Sequence, residues 1–369
     1  MVGNSSITRT DLYTLKENEM AHSLLITGGA GFIGSHVVRS VLTDADLSAY
    51  RIVVLDDLSG GFRENVPQDP RVEFIRGSVT DTALINSLFK SRNFDYVYHL
   101  AAYAAEGLSH FIRSFNYTNN LLGSVNLINA AVNFGTRCFV FTSSIAVYGS
   151  GQVPMREDMV PMPEDPYGIS KYAVELDLKA AHEMFGLDYV IFRPHNVYGE
   201  YQNIGDKYRN VVGIFMNQIL QNEPMTIFGD GTQQRAFTYI GDIAPILACS
   251  PLVETCKNRM FNVGADQPYS VNYLALEVAK AMEVAPSIVY LPSRSEVALA
   301  YSDHSAVKAT FGQTKQTPLG EGLYRMAKWV ETAGSRRSKD FENIEVSRNL
   351  PRSWVGATEG EALPVTGAA

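Results

Sequence analysis

From about residue 23 to residue 196 the chain alternates between two patterns. Short apolar blocks at 24–27, 51–57, 96–102, 137–142 and 187–192, and a run at 71–75 that alternates like a strand, are separated by stretches with apolar residues at helical spacing, at 35–42, 83–90, 119–134 and 167–185. Unbroken apolar blocks are the signature of strands buried on both faces, and strands alternating with helices imply parallel βαβ units. The expected fold is therefore α/β, a doubly wound parallel sheet. In such a sheet ligands bind beyond the C-terminal ends of the strands, where Gly28, Leu100, Ser144 and Asn196 would converge. Past residue 196 the rhythm breaks. Glycine, proline and aromatics rise, as in Phe228-Gly229-Asp230-Gly231 and Phe261-Asn262-Val263-Gly264. We expect a smaller mixed α/β lobe over 197–333, with a return to the main sheet around 236–264. Residues 1–22 read as a polar extension and 334–369 as a loosely packed tail.

The first strand runs into Gly28-Gly29-Ala30-Gly31-Phe32-Ile33-Gly34, then a helix, then a strand ending in Asp56-Asp57. The first glycine permits the tight turn, the second lets backbone approach a pyrophosphate, and the third allows close helix–strand contact. The helix N-terminus offers free N–H groups to phosphates. Asp56, 22 residues after Gly34, can accept hydrogen bonds from an adenosine ribose, which favours NAD over NADP. A glycine triplet alone is weak evidence; here the strand, the helix and the trailing acid accompany it.

Composition narrows the partners. Apolar residues make up 46% of the 369 and charged ones 19%, a globular balance. The net charge of −8 argues against a nucleic-acid or anionic-membrane surface. Cys138, Cys249 and Cys256 show no metal spacing and no paired framework, so neither a metal nor disulfides are expected. No run approaches a membrane span, and 1–22 lack the apolar core of a signal peptide. A cytoplasmic location is the expectation.

Tyr167 and Lys171 stand at i and i+4, on one helix face. A free phenol titrates near ~10, and a neighbouring cation lowers that value. Beside an oxidised nicotinamide the pair can accept the proton of a hydroxyl that is losing hydride. The same spacing also occurs in plain surface pairs. Ser144 ends a buried strand 23 residues earlier, where it either relays that proton or simply caps a turn. The glycine turn, the strand-end serine and the Tyr–Lys helix occur in an order that lets one sheet edge collect them.

Taken together, Thr27 to Gly34, Leu55-Asp56-Asp57, His99-Leu100-Ala101-Ala102, Asn119, Ser143-Ser144 with Val147-Tyr148-Gly149, Tyr167 with Lys171, Arg193-Pro194-His195-Asn196-Val197-Tyr198-Gly199, and Gly229-Asp230-Gly231 with Arg235 resemble the extended short-chain dehydrogenase/reductases of the nucleotide-sugar epimerase/dehydratase family. The resemblance spans roughly 23–330 and implies a Rossmann sheet and a tightly held NAD. It implies cofactor contacts from Gly28, Gly31, Phe32, Ile33, Gly34, Asp56, Asp57, Ser59, Gly60, Ser78, Val79, Leu100, Ala101, Ala102, Asn119, Ser143, Tyr167, Lys171 and Pro194. Ser144, Tyr167 and Lys171 would be the catalytic trio. Ser144, Tyr167, His195, Asn196, Arg235 and Arg294 would contact a UDP-sugar, with Arg235 on a phosphate unless it makes only a surface ion pair. Dehydratases of the family follow the strand-end hydroxyl with an acid; here Ile145 and Ala146 follow, which favours a 4-epimerase. An NDP-sugar dehydratase or keto-sugar reductase is the alternative, and the family implies a homodimer. Departures include Gly77-Ser78 in place of an acidic pair, and an unusual segment carrying Glu106, His110 and Arg113. Those three either touch an unusual sugar or lie on a helix surface. Small residues at Ala298, Leu299 and Ala300, where relatives carry a bulky gatekeeper, imply room for an N-acetyl or carboxyl group.

Overall fold

The structure, a computed structural model, describes residues 22–293, 298–312, 316–337, 341–351 and 354. Its first half is built from β1 (Ser23–Thr27), α1 (Phe32–Thr43), β2 (Arg51–Asp56), β3 (Val72–Arg76), α2 (Thr82–Ser91), β4 (Phe94–His99), two short helices α3 (Glu106–Ser109) and α4 (Arg113–Tyr117), α5 (Gly123–Phe134), β5 (Cys138–Thr142), α6 (Pro166–Phe185) and β6 (Asp188–Pro194). Later come β7 (Val197–Tyr198), α7 (Val211–Leu220), β8 (Met225–Phe228), β9 (Gln234–Ala236), β10 (Thr238–Tyr239), α8 (Ile240–Cys249), β11 (Arg259–Val263), β12 (Pro268–Ser270), α9 (Val271–Ala281), β13 (Ile288–Leu291), β14 (Leu299–Ala300), α10 (Ser305–Phe311) and α11 (Leu319–Ala333).

Seven strands form one sheet in the order β11-β6-β5-β4-β1-β2-β3, and every pairing is parallel. Chain order reverses between β1 and β4, so the crevice for a ligand opens at their C-terminal ends. Each strand feeds two cores because successive side chains point to opposite faces. Leu24, Ile26, Val54, Tyr98 and Val140 join the face that α1 and α8 cover. Leu25, Val53, Val97, Phe139 and Phe141 join the face that α2, α5 and α6 cover. Beyond β6 the strands are short and form three small sheets, β10-β7, β12-β9-β14 and β13-β8, while β11 returns to lie beside β6.

Three expectations need correction. The strand predicted over 96–102 ends at His99; Leu100 to Ala102 leave the sheet, and backbone of Ala101 passes so close to Gly28 that a Cβ there would lie 2.7 Å from its nitrogen. The helix predicted from residue 119 begins earlier and contains a π-helical turn, Thr118–Leu122, between α4 and α5. The described part of the tail is packed rather than loose: Phe341, Ile344, Leu350 and Trp354 join an apolar cluster with Ala105, Leu108 and Ile112. Its aromatic residues supply the apolar area that a polar tail lacks.

Candidate active site

An open cleft of about 330 Å³ runs along the strand C-termini. At one end lies the glycine turn. Gly28 has φ +70°, a conformation that favours glycine, and a Cβ on Gly34 would sit 2.1 Å from the Gly28 carbonyl oxygen. Bulk is thus excluded at both ends of the turn. Gly31 precedes α1 without any side-chain cap, and Phe32, Ile33 and Gly34 line the cleft. The first-turn N–H groups of a helix lack intrahelical partners, so this one presents bare donors and a positive dipole end, a ready anion site. Asp56 closes β2 over the turn. Its carboxylate accepts from the Ala30 N–H at 3.0 Å and the Leu58 N–H at 2.8 Å. Burial raises its pKa, and these two bonds pull it back. The Gly31 N–H also favours the charged carboxylate, and the lone-pair positions left over can accept from a ligand hydroxyl. Every residue proposed from sequence to hold the cofactor lines this cleft, from Gly28 through Asp57, Ser59, Gly60, Ser78, Val79, Leu100, Ala101, Ala102 and Asn119 to Pro194.

The chemistry-bearing side chains meet where β5 ends. Asp165 caps α6 by accepting from the Gly168 N–H at 2.9 Å, with Pro166 at the first helical position. That start carries Tyr167 to the cleft, which Ser144 also lines, close enough for its hydroxyl to favour the phenolate. Ser144 also accepts from the Ala146 N–H at 3.1 Å, so it caps a turn and faces Tyr167 at once. One turn along α6, the Lys171 ammonium donates to the Thr142 carbonyl at 2.8 Å and lies 5.9 Å from the Tyr167 ring centre. Burial pulls its pKa down to about 7, opposed by Glu175. The expected lowering of the Tyr167 pKa is not seen. Burial raises it well above the ordinary value, and the nearby Ser144 hydroxyl only partly offsets this. A phenol removed from water holds its proton until a cation arrives beside it.

Beneath this trio Glu175 accepts from Arg193 at 2.9 and 2.5 Å and from the Ser143 hydroxyl at 2.5 Å, with both charged groups buried. Ser143 lines the cleft, but its hydroxyl is committed to that pair.

Other residues are placed differently from expectation. His195 is buried outside the cleft, its Nδ1 donating to the Ala236 carbonyl at 3.0 Å and its Nε2 3.1 Å from His304 Nε2. Burial lowers its pKa to about 3, so the ring is neutral. Asn196 lines the cleft with φ 41° and donates to the same carbonyl at 3.2 Å. Arg235 sits in β9 away from the cleft, one guanidinium nitrogen on the Gln234 carbonyl at 2.8 Å. Arg294 lies outside the described residues. Leu299 and Ala300 pair with β9 and do not line the cleft, Ala300 packing against Val147 and Tyr148 just beyond Ser144.

Tyr103, Gln202, Asp206 and Arg209, in loops without a fixed spacing, and Phe115, in the five-residue helix α4, line the cleft but carry no sequence signal. Glu106 also lines it, and His110 and Arg113 do not. The Gln202 carboxamide is 1% exposed and, like the buried Thr142 hydroxyl, has no hydrogen-bond partner. Buried polar groups are ordinarily satisfied, so these are places a ligand would complete. The uncapped helix, the bulk-free turn and these orphaned groups fit a dinucleotide and a polar substrate.

A family model described as the NAD dependent epimerase/dehydratase family matches residues 24–264, more than half of the chain. Mouse dTDP-D-glucose 4,6-dehydratase is 30% identical over 336 residues, covering 88% of this chain and 90% of its own. The UDP-glucose 4-epimerase of Thermotoga maritima, solved with UDP-glucose, is 31% identical with a TM-score of 0.79, over 84% of this chain and 99% of its own. The UDP-N-acetylglucosamine 4-epimerase of Methanobrevibacter ruminantium, solved with UDP-N-acetylmuramic acid, is 31% identical with a TM-score of 0.77, over 85% and 99%. With a family match over most of the sheet and relatives aligned along nearly their whole length, the chain belongs to the NAD dependent epimerase/dehydratase family and is an NAD-dependent enzyme.

Proposed function

We propose that the enzyme inverts C4 of a UDP-sugar, one of UDP-glucose, UDP-N-acetylglucosamine or UDP-glucuronate, through a transient 4-keto sugar. The observation that carries this reading is that Ser144, Tyr167 and Lys171 line one end of the cleft together, Lys171 one helical turn from Tyr167 and 5.9 Å from its ring centre. NAD, when bound, supplies the acceptor and then the donor of the C4 hydride, so none is consumed. The bare N-terminus of α1 and the turn from Gly28 to Gly34 would hold its diphosphate, and Asp56 its adenosine ribose. Ser144 passes the O4 proton toward Tyr167. Tyr167 takes it as the base and returns it as the acid. Lys171, in its cationic form, favours the phenolate. Asn196 and the unpaired Gln202 amide offer polar contacts to the substrate.

Ser144 is followed by Ile145 and Ala146 in a short 3-10 turn. Neither can assist water elimination, which weighs against the dehydratase activity that the mouse relative's name describes. A keto-sugar reductase would need external NAD(P)H, and the Asp56 carboxylate would repel a 2′-phosphate. We further propose a homodimer formed through α5 and α6, and a cytoplasmic location, which the three unpaired cysteines favour.

Incubating purified protein, without added cofactor, with each of the three UDP-sugars and following products by NMR tests the proposal. Epimerised product with no added NAD is expected. A requirement for stoichiometric NADH would point to the reductase instead. Tyr167→Phe should retain NAD yet lose turnover by about 10²–10⁴-fold, the usual range for a positioned acid–base group; unimpaired epimerisation would remove Tyr167 as the base.

A further inference from the structure

The chain after α11 stitches together the loops that ring the cleft. Arg336 stacks 3.6 Å over the Phe62 ring and exchanges two backbone bonds with the Asn217 amide at 2.9 and 3.0 Å. Phe341 lies against the rings of Tyr103 and Phe115, at 5.5 and 5.0 Å between centres, and its N–H donates to the Tyr208 hydroxyl at 3.3 Å. The Glu345 carboxylate accepts from the Ser114 N–H at 2.7 Å and the Phe115 N–H at 2.8 Å, capping α4, which has no cap of its own. Trp354 packs edge-on to Phe111 and Tyr208. The far sides of these clamped segments face the reacting groups. Tyr103, Glu106, Phe115 and Arg209 line the cleft, Arg209 stacks 4.9 Å over Tyr103, and the charges of Glu106 and Arg209 are felt at the Tyr167 phenol.

We propose that the described residues after α11, 336–337, 341–351 and 354, form a strap that positions the wall against which the hexosyl group lies, and that Phe341 and Glu345 are positioning residues for substrate recognition. The inference rests on the epimerase reading above. Neither residue touches the cleft. Phe341 fixes the tilt of Tyr103 and Phe115 from behind, and Glu345 fixes the start of the helix that carries Phe115. The glycine turn and Asp56, which would hold the diphosphate and adenosine ribose, lie on other elements, and among the proposed cofactor contacts Asn119 is bonded to a clamped residue, its amide donating to the Phe115 carbonyl at 2.9 Å. Loosening the strap should therefore weaken recognition of the sugar and leave NAD in place. A ring stacked behind a binding wall acts by preorganisation, cutting the ordering cost the ligand must otherwise meet.

The test uses full-length Phe341→Ala, Glu345→Ala, the double variant and Glu345→Gln. Bound NAD per chain, kinetics with UDP-glucose, and calorimetric affinities for UDP-glucose and for UDP are measured. In the double variant KM should rise about tenfold with kcat changed less than about threefold, the pattern of lost binding rather than lost chemistry. The advantage of UDP-glucose over UDP should shrink by a similar factor, NAD content should match the parent, and Glu345→Gln, which still accepts through its amide oxygen, should recover part of the loss relative to Glu345→Ala. Unchanged KM and affinities overturn the strap proposal, and so does joint loss of NAD, UDP and UDP-glucose, which marks a merely structural segment. A parent protein that epimerises none of the UDP-sugars sinks the epimerase reading instead, and the comparison of UDP-glucose with UDP, which needs no turnover, then decides the strap.

Discussion

Lys171 is the residue on which pH acts most directly. Folded, it exchanges its proton near pH 7; its ordinary value is 10.5. Below pH 7 both states carry the proton and it contributes no slope. Between pH 7 and 10.5 the unfolded chain binds a proton that the folded chain lacks, so stability rises with pH through that window. Lys171→Met removes the group while filling its space. Urea unfolding of cofactor-stripped protein at about pH 7, 8.5 and 10 should show the variant more stable at the lowest value and the gap closing upward. A gap that does not change with pH would mean that burial does not depress Lys171. The trio was legible in sequence because its chemistry sits at fixed spacing on predictable elements. The direction of the Tyr167 shift was not, because it depends on how much water the surrounding loops exclude. His195 was misplaced for a simpler reason. Pro194 and Asn196 both line the cleft, while the residue between them lies off it, bonded to the Ala236 carbonyl and beside His304.

At the scale of elements, α6 does more than deliver the proposed base. Tyr167, Lys171 and Glu175 follow at intervals of four, one stripe along the helix, and Glu175 locks that stripe to β6 through Arg193 and to the end of β5 through Ser143. Arg193 is 1% exposed, and one of its guanidinium nitrogens already lacks a partner. Glu175→Gln would leave a buried cation with weaker compensation. We expect a cost of about 3–5 kcal/mol, the range for breaking a buried pair from one side, read as a lowered urea midpoint at unchanged slope. Glu175→Gln combined with Arg193→Met should be less destabilised than Glu175→Gln alone; a double variant at least as unstable would show that the charges are not the cause. The sheet itself was readable because parallel strands buried on both faces leave unbroken apolar blocks. The π-helical turn was not, since its apolar spacing resembles that of the flanking helices. Its Asn120 amide fixes Tyr103 by accepting from its N–H at 2.8 Å and donating to its carbonyl at 3.0 Å. The packed tail was equally hidden, because a few aromatics among polar residues signal docking only once their partners are in place.

For the whole molecule, the α5–α6 side of the sheet exposes an apolar band that the rest of the surface does not explain. Ile169, Leu176 and Met184 recur along α6 at steps of seven and eight, which keeps them on one stripe. Met184 is 74% exposed and Phe185 beside it 67%, with Leu122 in the π-helical turn also open. Single exposed apolar residues need no explanation, but a contiguous band does, and a band of this kind matches itself across a two-fold axis. The opposite end of the same helix carries Tyr167, so pairing through it would also stiffen the element that positions the base. Leu176→Arg with Met184→Arg puts like charges on the band, which costs nothing in a monomer that exposes it and blocks a symmetric contact. Light scattering behind size exclusion should find the parent at about twice its chain mass and the double variant at about one. Because the band lies outside the cleft, the variant should keep its NAD and lose activity only through a mobile α6, seen as a lower kcat that recovers as protein concentration rises. A parent that runs as a monomer, or a double variant that stays dimeric, would remove this face from the assembly.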